Sequence, residues 1–317
     1  MATIKAARPD QVAEGIGIIL LSVAMMAFAD ALVKLVSADL TLWQVFVTRS
    51  LVAIPLLIVL SRVSGVVLRP SALKWTGIRS VLLVLTWLAF YAALPVLDLS
   101  VAAVAVYTNP IMIVLLSAML IGERVVKRQW GGVLLGFLGV IAILRPGTEA
   151  FSWFILLPLL AAVFYALAMV LTRSRCQDES PLALALALHG SFVVTGLVAT
   201  AVLALINLGS DTRAAYPFLL SDWASMGLRE WGLVALLGVL SAVYFLGVAR
   251  AYQVAPPQII ATFDYGYLVS ATLWGFVIFA EKPDLSTVFG MILISVAGLM
   301  VAAPSAKKPD DGEADTI

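Results

Sequence analysis

Asp30, Arg49 and Asp264 lie inside long apolar runs of this chain, and so does His189, its only histidine. An ionisable side chain in the middle of a bilayer costs about 2.5–3.5 kcal/mol on insertion scales, so each needs a partner or a task. Asp30 falls about 10 Å from the nearer end of the first apolar run, at 1.5 Å per helical residue. Arg49 has nearly the same depth in the second run, which makes an Asp30–Arg49 ion pair the natural assignment. Lys34, one turn further along, either shares that carboxylate or snorkels to the interface. Such a cluster can neutralise itself and fix the packing of two helices. It can equally line a central cavity and exchange its partners for polar groups of a solute.

Asp264 is about 12 Å in from one end of the ninth run, and His189 has a similar depth in the seventh. No Lys or Arg of the second half is placed to pair with Asp264. An unpaired carboxylate in a low dielectric can take up and release a proton, so Asp264 with His189 is the candidate pair for proton coupling. The plain alternative is an Asp264 hydrogen-bonded to a tyrosine and a His189 that only packs. Tyr107, Tyr165, Tyr244, Tyr265 and Tyr267 lie nearer mid-span than the interfacial tryptophans. Each joins a flat apolar body to a hydroxyl, which suits a cavity that stacks a planar organic solute. Packing alone accounts for two or three of them. With Asp30, Arg49 and Asn109 they form the candidate substrate-binding set.

Composition limits the elements that can position these groups. Of 317 residues 62% are hydrophobic and 12% charged, against roughly 45–50% and 25% in soluble domains. Mean hydropathy is +1.05. An integral membrane protein follows, and the runs are too long and too uniformly apolar for barrel strands. A net charge of +1 leaves no nucleic-acid footprint. One cysteine, Cys176, and one histidine exclude an internal disulfide, a multi-cysteine metal site and HExxH chemistry. No phosphate-binding GxxxxGK[ST] occurs. No cofactor and no metal are expected. Two membrane aspartates invite comparison with intramembrane aspartyl proteases. Their opposite depths oppose it, because such a pair must share one water.

Ten spans are expected, at 15–36, 42–61, 76–95, 99–121, 130–146, 152–172, 181–206, 231–250, 256–280 and 285–303. Residues 207–230 form a long non-helical loop, and 304–317 a polar, disordered tail after a cytoplasmic N-terminus at 1–14. The first apolar stretch lacks a cleavage site and is expected to be retained. With the N-terminus inside, 14 Lys and Arg fall on the cytoplasmic side against four outside, as the positive-inside rule requires. The expected location is the inner membrane with both termini cytoplasmic.

Residues 99–146 read against 257–304 at a constant offset of 158, which pairs Tyr107 with Tyr265, Glu123 with Glu281 and Gly132 with Gly290. In the first two spans of each half a smaller offset sets Arg49 opposite His189. Five spans per half (15–146 and 152–303) is an odd number, so the halves must be inverted, the architecture of alternating access. Pro110 removes a backbone donor in the fourth span and should kink it. Gly132 and Gly136 have the small-xxx-small spacing of close helix contacts, between the halves or between the subunits of a homodimer. Glu123 and Glu281 end their helices as structural or gating groups.

Tyr107-Thr108-Asn109-Pro110, the Gly122-Glu123-Arg124 helix end and the glycines 131, 132, 136 and 139 resemble the ten-helix, EamA-type branch of the drug/metabolite transporter superfamily. The second copy departs from the pattern: Ala280-Glu281-Lys282 replaces Gly-Glu, and Leu268 the proline. Phe28 to Lys34 and Arg49-Ser50 resemble the subgroup with bacterial riboflavin and S-adenosylmethionine uptake carriers. The resemblance implies a carrier of a small organic metabolite. It also implies that spans one to four and six to nine wrap the cavity, with the fifth and tenth peripheral. A tyrosine-rich cavity of little net charge favours a flat polar solute such as riboflavin. Amino acids and S-adenosylmethionine stay open, as does direction.

Overall fold

The computed structural model describes residues 9–121, 127–144, 152–206, 208–255, 260 and 263–302. Every regular element among them is helical. In order they are α1 (Pro9–Val36), α2 (Leu42–Ser64), α3 (Leu73–Ala93), α4 (Leu99–Val106), α5 (Asn109–Ile121), α6 (Lys127–Leu144), α7 (Leu156–Arg175), α8 (Pro181–Leu205), α9 (Ser210–Ala215), α10 (Pro217–Leu220), α11 (Leu228–Val254), α12 (Gly266–Phe279) and α13 (Leu285–Ala302). Six helices among the described residues are long and apolar enough to cross a membrane: α1, α2, α3, α7, α8 and α11. The remaining apolar helices are shorter. Large apolar side chains stand exposed on the outside of the bundle, Leu51, Val81, Val194, Val269 and Phe276 among them. Asp30, Arg49, His189 and Asp264 are fully buried inside. A polar interior behind an apolar exterior suits a lipid surround.

Local signals set the ends. The Thr41 hydroxyl accepts from the Gln44 amide to open α2, and Gly65 closes it at φ 66°, in the left-handed region a glycine adopts without a Cβ clash. Pro181 starts α8, where its missing N–H is not needed. Asp284 accepts from the Thr287 amide at 2.8 Å to open α13.

Three expectations need correction. The fourth run is two helices, α4 and α5, broken at Tyr107-Thr108. Pro110 therefore sits in a first turn, where the absent donor costs nothing. Of the ninth run, 256–280, α12 covers 266–279; Phe263 and Asp264 are helical as well, and the helix is interrupted at Tyr265 just before α12. The 207–230 loop carries α9 and α10, the second started by Pro217. Glu123, Gly122, Arg124 and the tail at 304–317 lie outside the described residues.

The helices pair in a reciprocal way. α1 packs on α11 and α3 on α7; α1 packs on α12, and α7 on α4 and α5; α2 packs on α8, and α6 on α13. Glycines permit the closest approaches. A Cβ at Gly238 would lie 2.7 Å from the Arg49 carbonyl, and one at Gly196 2.8 Å from the Trp43 carbonyl. Gly136 and Gly139 face Ala297 and Ile294 of α13, so these glycines serve a contact within the chain.

Candidate functional site

A small cavity lies between α1, α3, the α4–α5 break, α7 and α12, lined by Met26, Asp30, Thr86, Trp87, Phe90, Val106, Tyr107, Asn109, Tyr165 and Tyr267. The α4–α5 break brings Tyr107 and Asn109 to its wall. Five of the eight expected substrate-binding residues line it: Asp30, Tyr107, Asn109, Tyr165 and Tyr267. Arg49, Tyr244 and Tyr265 do not, although each is buried nearby.

The Asp30 carboxylate accepts from Tyr91 Oη on Oδ1 at 2.9 Å and from Tyr267 Oη on Oδ2 at 2.7 Å. The expected Asp30–Arg49 ion pair is not direct. Arg49 Nη1 donates to Tyr91 Oη at 3.1 Å, so one hydroxyl bridges the two charges. The guanidinium sits over Phe192, Phe46 and Tyr91, with its carbon 4.5, 5.2 and 5.3 Å from the ring centres. Aromatic faces attract a cation without needing a hydrogen bond. Tyr107 stacks on Tyr267 with centroids 4.6 Å apart and planes 16° from parallel.

Lys34 neither shares Asp30 nor snorkels free. Its ammonium pairs with Glu281 at 2.5 Å and donates to the Leu97 carbonyl at 2.7 Å. Glu281 in turn accepts from the Leu99 amide at 2.9 Å. α1, the α3–α4 turn and the α12–α13 turn are thereby tied at one end of the bundle.

Asp264 and His189 do not meet. Asp264 Oδ2 accepts from Tyr252 Oη, whereas His189 Nδ1 is 3.1 Å from Ser50 Oγ and its ring lies edge-on to Phe192 and Phe245. Burial explains the separation: each polar group has found the nearest hydroxyl on a packed neighbour helix. The two residues expected to couple protons thus make separate contacts. Asp30 and Asp264 also hold to different tyrosines, Tyr91 and Tyr267 for the first and Tyr252 for the second.

Sequence reasoning missed three participants. Tyr91 was legible only as one of many aromatics. Arg79, counted as a cytoplasmic charge, is buried, and its Nε donates to Thr172 Oγ1 at 2.7 Å across the α3–α7 contact. Glu179 closes the end of the bundle opposite Lys34. It accepts from Ser71 Oγ at 2.6 Å and from the Ala72 and Ser71 amides at 2.6 and 3.0 Å. Burial pushes the Glu179 carboxyl up, but these hydrogen bonds outweigh it and hold it below the ordinary carboxylate value. Gln253 Nε2 donates to the Glu179 and Cys176 carbonyls, and Arg173 donates to the Gln253 carbonyl at 2.7 Å. Burial pushes the Cys176 thiol up. Among the described residues no three His, Cys, Asp or Glu side chains converge on a point that could hold a metal.

Residues 13–145 match the EamA-like transporter family. The pseudopaline exporter of Pseudomonas aeruginosa (strain UCBPP-PA14) is 29% identical over 285 residues, 89% of this chain and 94% of its own length. The S-adenosylmethionine uptake transporter of Rickettsia prowazekii (strain Madrid E) is 24% identical, covering 71% of this chain and 70% of its own. The riboflavin transporter of Rhizobium johnstonii is 29% identical, covering 68% and 64%. One solved crystal structure superposes with a TM-score of 0.63 over 93% of this chain and 96% of its own, at 20% identity, a likeness of fold alone.

Proposed function

We propose, on the premise that this chain carries an EamA-like transporter domain over residues 13–145 and is a membrane transporter of small metabolites, that it is a secondary carrier working by alternating access. It spans the inner membrane ten times, as two inverted five-helix halves with both termini cytoplasmic. One observation carries this reading: a cavity walled by Asp30 and aromatic side chains lies between two separate polar closures. The Lys34–Glu281 contact shuts one end and the Glu179–Ser71 contact the other, so opening either alone exposes the site to one side.

The reciprocal packing supports inverted halves. Exchanging α1 with α7, α2 with α8, α3 with α11, α4 and α5 with α12, and α6 with α13 turns α1–α11 into α7–α3, α1–α12 into α7–α4 and α7–α5, and α2–α11 into α8–α3, each of them a packed pair. Residues related by the repeat also meet: the rings of Tyr107 and Tyr265 are 6.2 Å apart, and His189 contacts Ser50 beside Arg49. The peripheral α6 and α13 pack chiefly on each other. Asp264, with one oxygen held by Tyr252 and Oδ1 unpartnered among the described residues, is the group we assign to proton coupling, with no direct help from His189. No catalytic step is needed.

Relatives named for three different solutes leave the substrate open. The test is uptake into proteoliposomes holding the purified chain, with vitamins, nucleosides and amino acids as labelled probes, with and without a pH gradient. At least one solute should accumulate or exchange faster than in protein-free vesicles. Absence of flux for every class in every gradient would end the reading.

A further inference from the structure

Arg79 carries a buried charge with no counter-charge among the described residues. It stands about two turns into α3. Its Nε donates to Thr172 Oγ1 at 2.7 Å, while Nη1 has no hydrogen-bond partner among the described residues. The ion pairs among those residues engage Lys34, Arg213, Arg229 and Arg250, and none includes Arg79. Aromatic rings face Lys34, Arg49, Lys74 and Arg175, and again not Arg79.

The groups packed around Arg79 bring no negative charge. From α7 they are Tyr165, Thr172 and Cys176, a phenol, an alcohol and a thiol that are neutral near pH 7. From α3 itself comes Thr76, whose buried hydroxyl is also unpartnered among the described residues. Glu179, in the α7–α8 turn, spends both carboxylate oxygens on Ser71 and Ala72. Asp264 accepts from Tyr252 of α11. Arg49 is different, because Tyr91 links it to Asp30. A lone guanidinium in a low dielectric costs several kcal/mol, which only a counter-charge offsets.

Two free donors point to where that counter-charge binds. Thr76 and Arg79 are one turn apart on the same face of α3. A long helical side chain leans back over the preceding turn, so the guanidinium reaches toward Thr76. Arg79 is not among the residues lining the cavity, and α3 packs closely on α7 around it. A monatomic ion suits such a place better than an organic acid does. Along the chain Thr172, the partner of Arg79, is midway between Tyr165 on the cavity wall and Glu179 at the closure.

We propose that Arg79 and Thr76 form a binding site for a small monovalent anion, chloride or bromide in size, between the cavity and the Glu179 closure. Arg79 Nη1 and the Thr76 hydroxyl donate to the ion, which cancels the buried charge and steadies the α3–α7 contact. The site stands apart from the carrier reading, since its occupancy is read on the folded chain without flux.

The test is thermal unfolding of the detergent-purified chain in potassium gluconate, chloride or bromide at constant ionic strength, so that general screening is equal. Binding to the folded state raises the apparent Tm. Both halides should raise it saturably, by several degrees over gluconate. Arg79→Gln should lose that response. Thr76→Val keeps the side-chain shape and removes the hydroxyl, so it stays informative if the arginine variant fails to fold. It should weaken the apparent chloride affinity about threefold to tenfold, the worth of one hydrogen bond. Equal Tm values in gluconate and the halides, a halide response that survives in Arg79→Gln, or an unchanged chloride affinity in Thr76→Val overturns the anion site. None of these outcomes bears on the carrier reading, which stands or falls on proteoliposome uptake.

Discussion

Asp30 and Arg49 share one hydroxyl instead of a salt bridge: Tyr91 accepts from Arg49 Nη1 at 3.1 Å and donates to Asp30 Oδ1 at 2.9 Å. A wedge of this kind keeps opposite charges from collapsing on each other while holding both in place. Tyr91→Phe should therefore act on both charges at once. Each loses a buried hydrogen bond worth about 1–3 kcal/mol when its partner is removed. The apparent Tm in detergent should fall by roughly 5 °C, since each kcal/mol moves a large domain by about 2–4 °C. An unchanged Tm would mean that the bridge carries no load.

The Lys34–Glu281 pair is mostly shielded, with side-chain exposures of 15% and 9%. Breaking one partner leaves a nearly buried charge alone, which is costly. Lys34→Glu and Glu281→Lys should each lower the Tm and slow solute exchange at least threefold. The double swap should recover about half of both losses. Full recovery is not expected, because the exchanged groups cannot serve the Leu97 carbonyl and the Leu99 amide. A double variant as impaired as the sum of the singles would show that the charge pair itself is immaterial.

Gly238 lets α11 close on α2 at the residue that carries the guanidinium. Its missing Cβ would fall 2.7 Å from the Arg49 carbonyl and 2.6 Å from Val52 Cβ, backbone and stem atoms that cannot swing away. Gly238→Ala should cost about 1–3 kcal/mol as overpacking and reduce transport by displacing Arg49. Gly232→Ala, where nothing lies within 4 Å, should be neutral or slightly stabilising by helix propensity. Comparing the two Tm values checks the claim.

Glu179 makes stability depend on acid. Its folded value lies below the ordinary 4.5, so below neutrality the unfolded chain binds that proton more readily than the folded one. Stability then rises with pH. The contribution is fully present above the unfolded value and is lost as pH falls from about 4.5 through the lower folded value. Glu179→Gln should unfold more easily at pH 7, and its difference from the wild type should shrink below that window. A difference that stays constant between pH 7 and pH 3 would contradict the assignment.

Composition and run length sufficed to read a helical membrane protein here, because hydrocarbon admits few backbone solutions. The candidate site was partly legible for the same reason: buried Asp30 and Arg49 are costly, so they stand out. What no pattern could supply was rotation about each helix axis. Depth put Arg49 level with Asp30, but rotation put Tyr91 between them. Depth matched His189 with Asp264, yet each turned to a hydroxyl, Ser50 and Tyr252. Arg79 counts with the cytoplasmic charges in the sequence and Glu179 stands out in no pattern there, because near span ends only tertiary packing decides burial. The breaks before Asn109 and Gly266 were equally hidden, since an apolar run looks continuous whether or not its helix is.

The measurement that bears most directly on the account is thiol accessibility of the cavity in sealed vesicles of known orientation. Cys176 is the only native cysteine, so Thr86→Cys in a Cys176→Ser chain carries a single thiol on the cavity wall. A charged, membrane-impermeant maleimide should label that thiol when added to either face, and transported solute should slow the labelling from both. Labelling from neither face, with full labelling after denaturation, would contradict a hollow that opens alternately to the two sides.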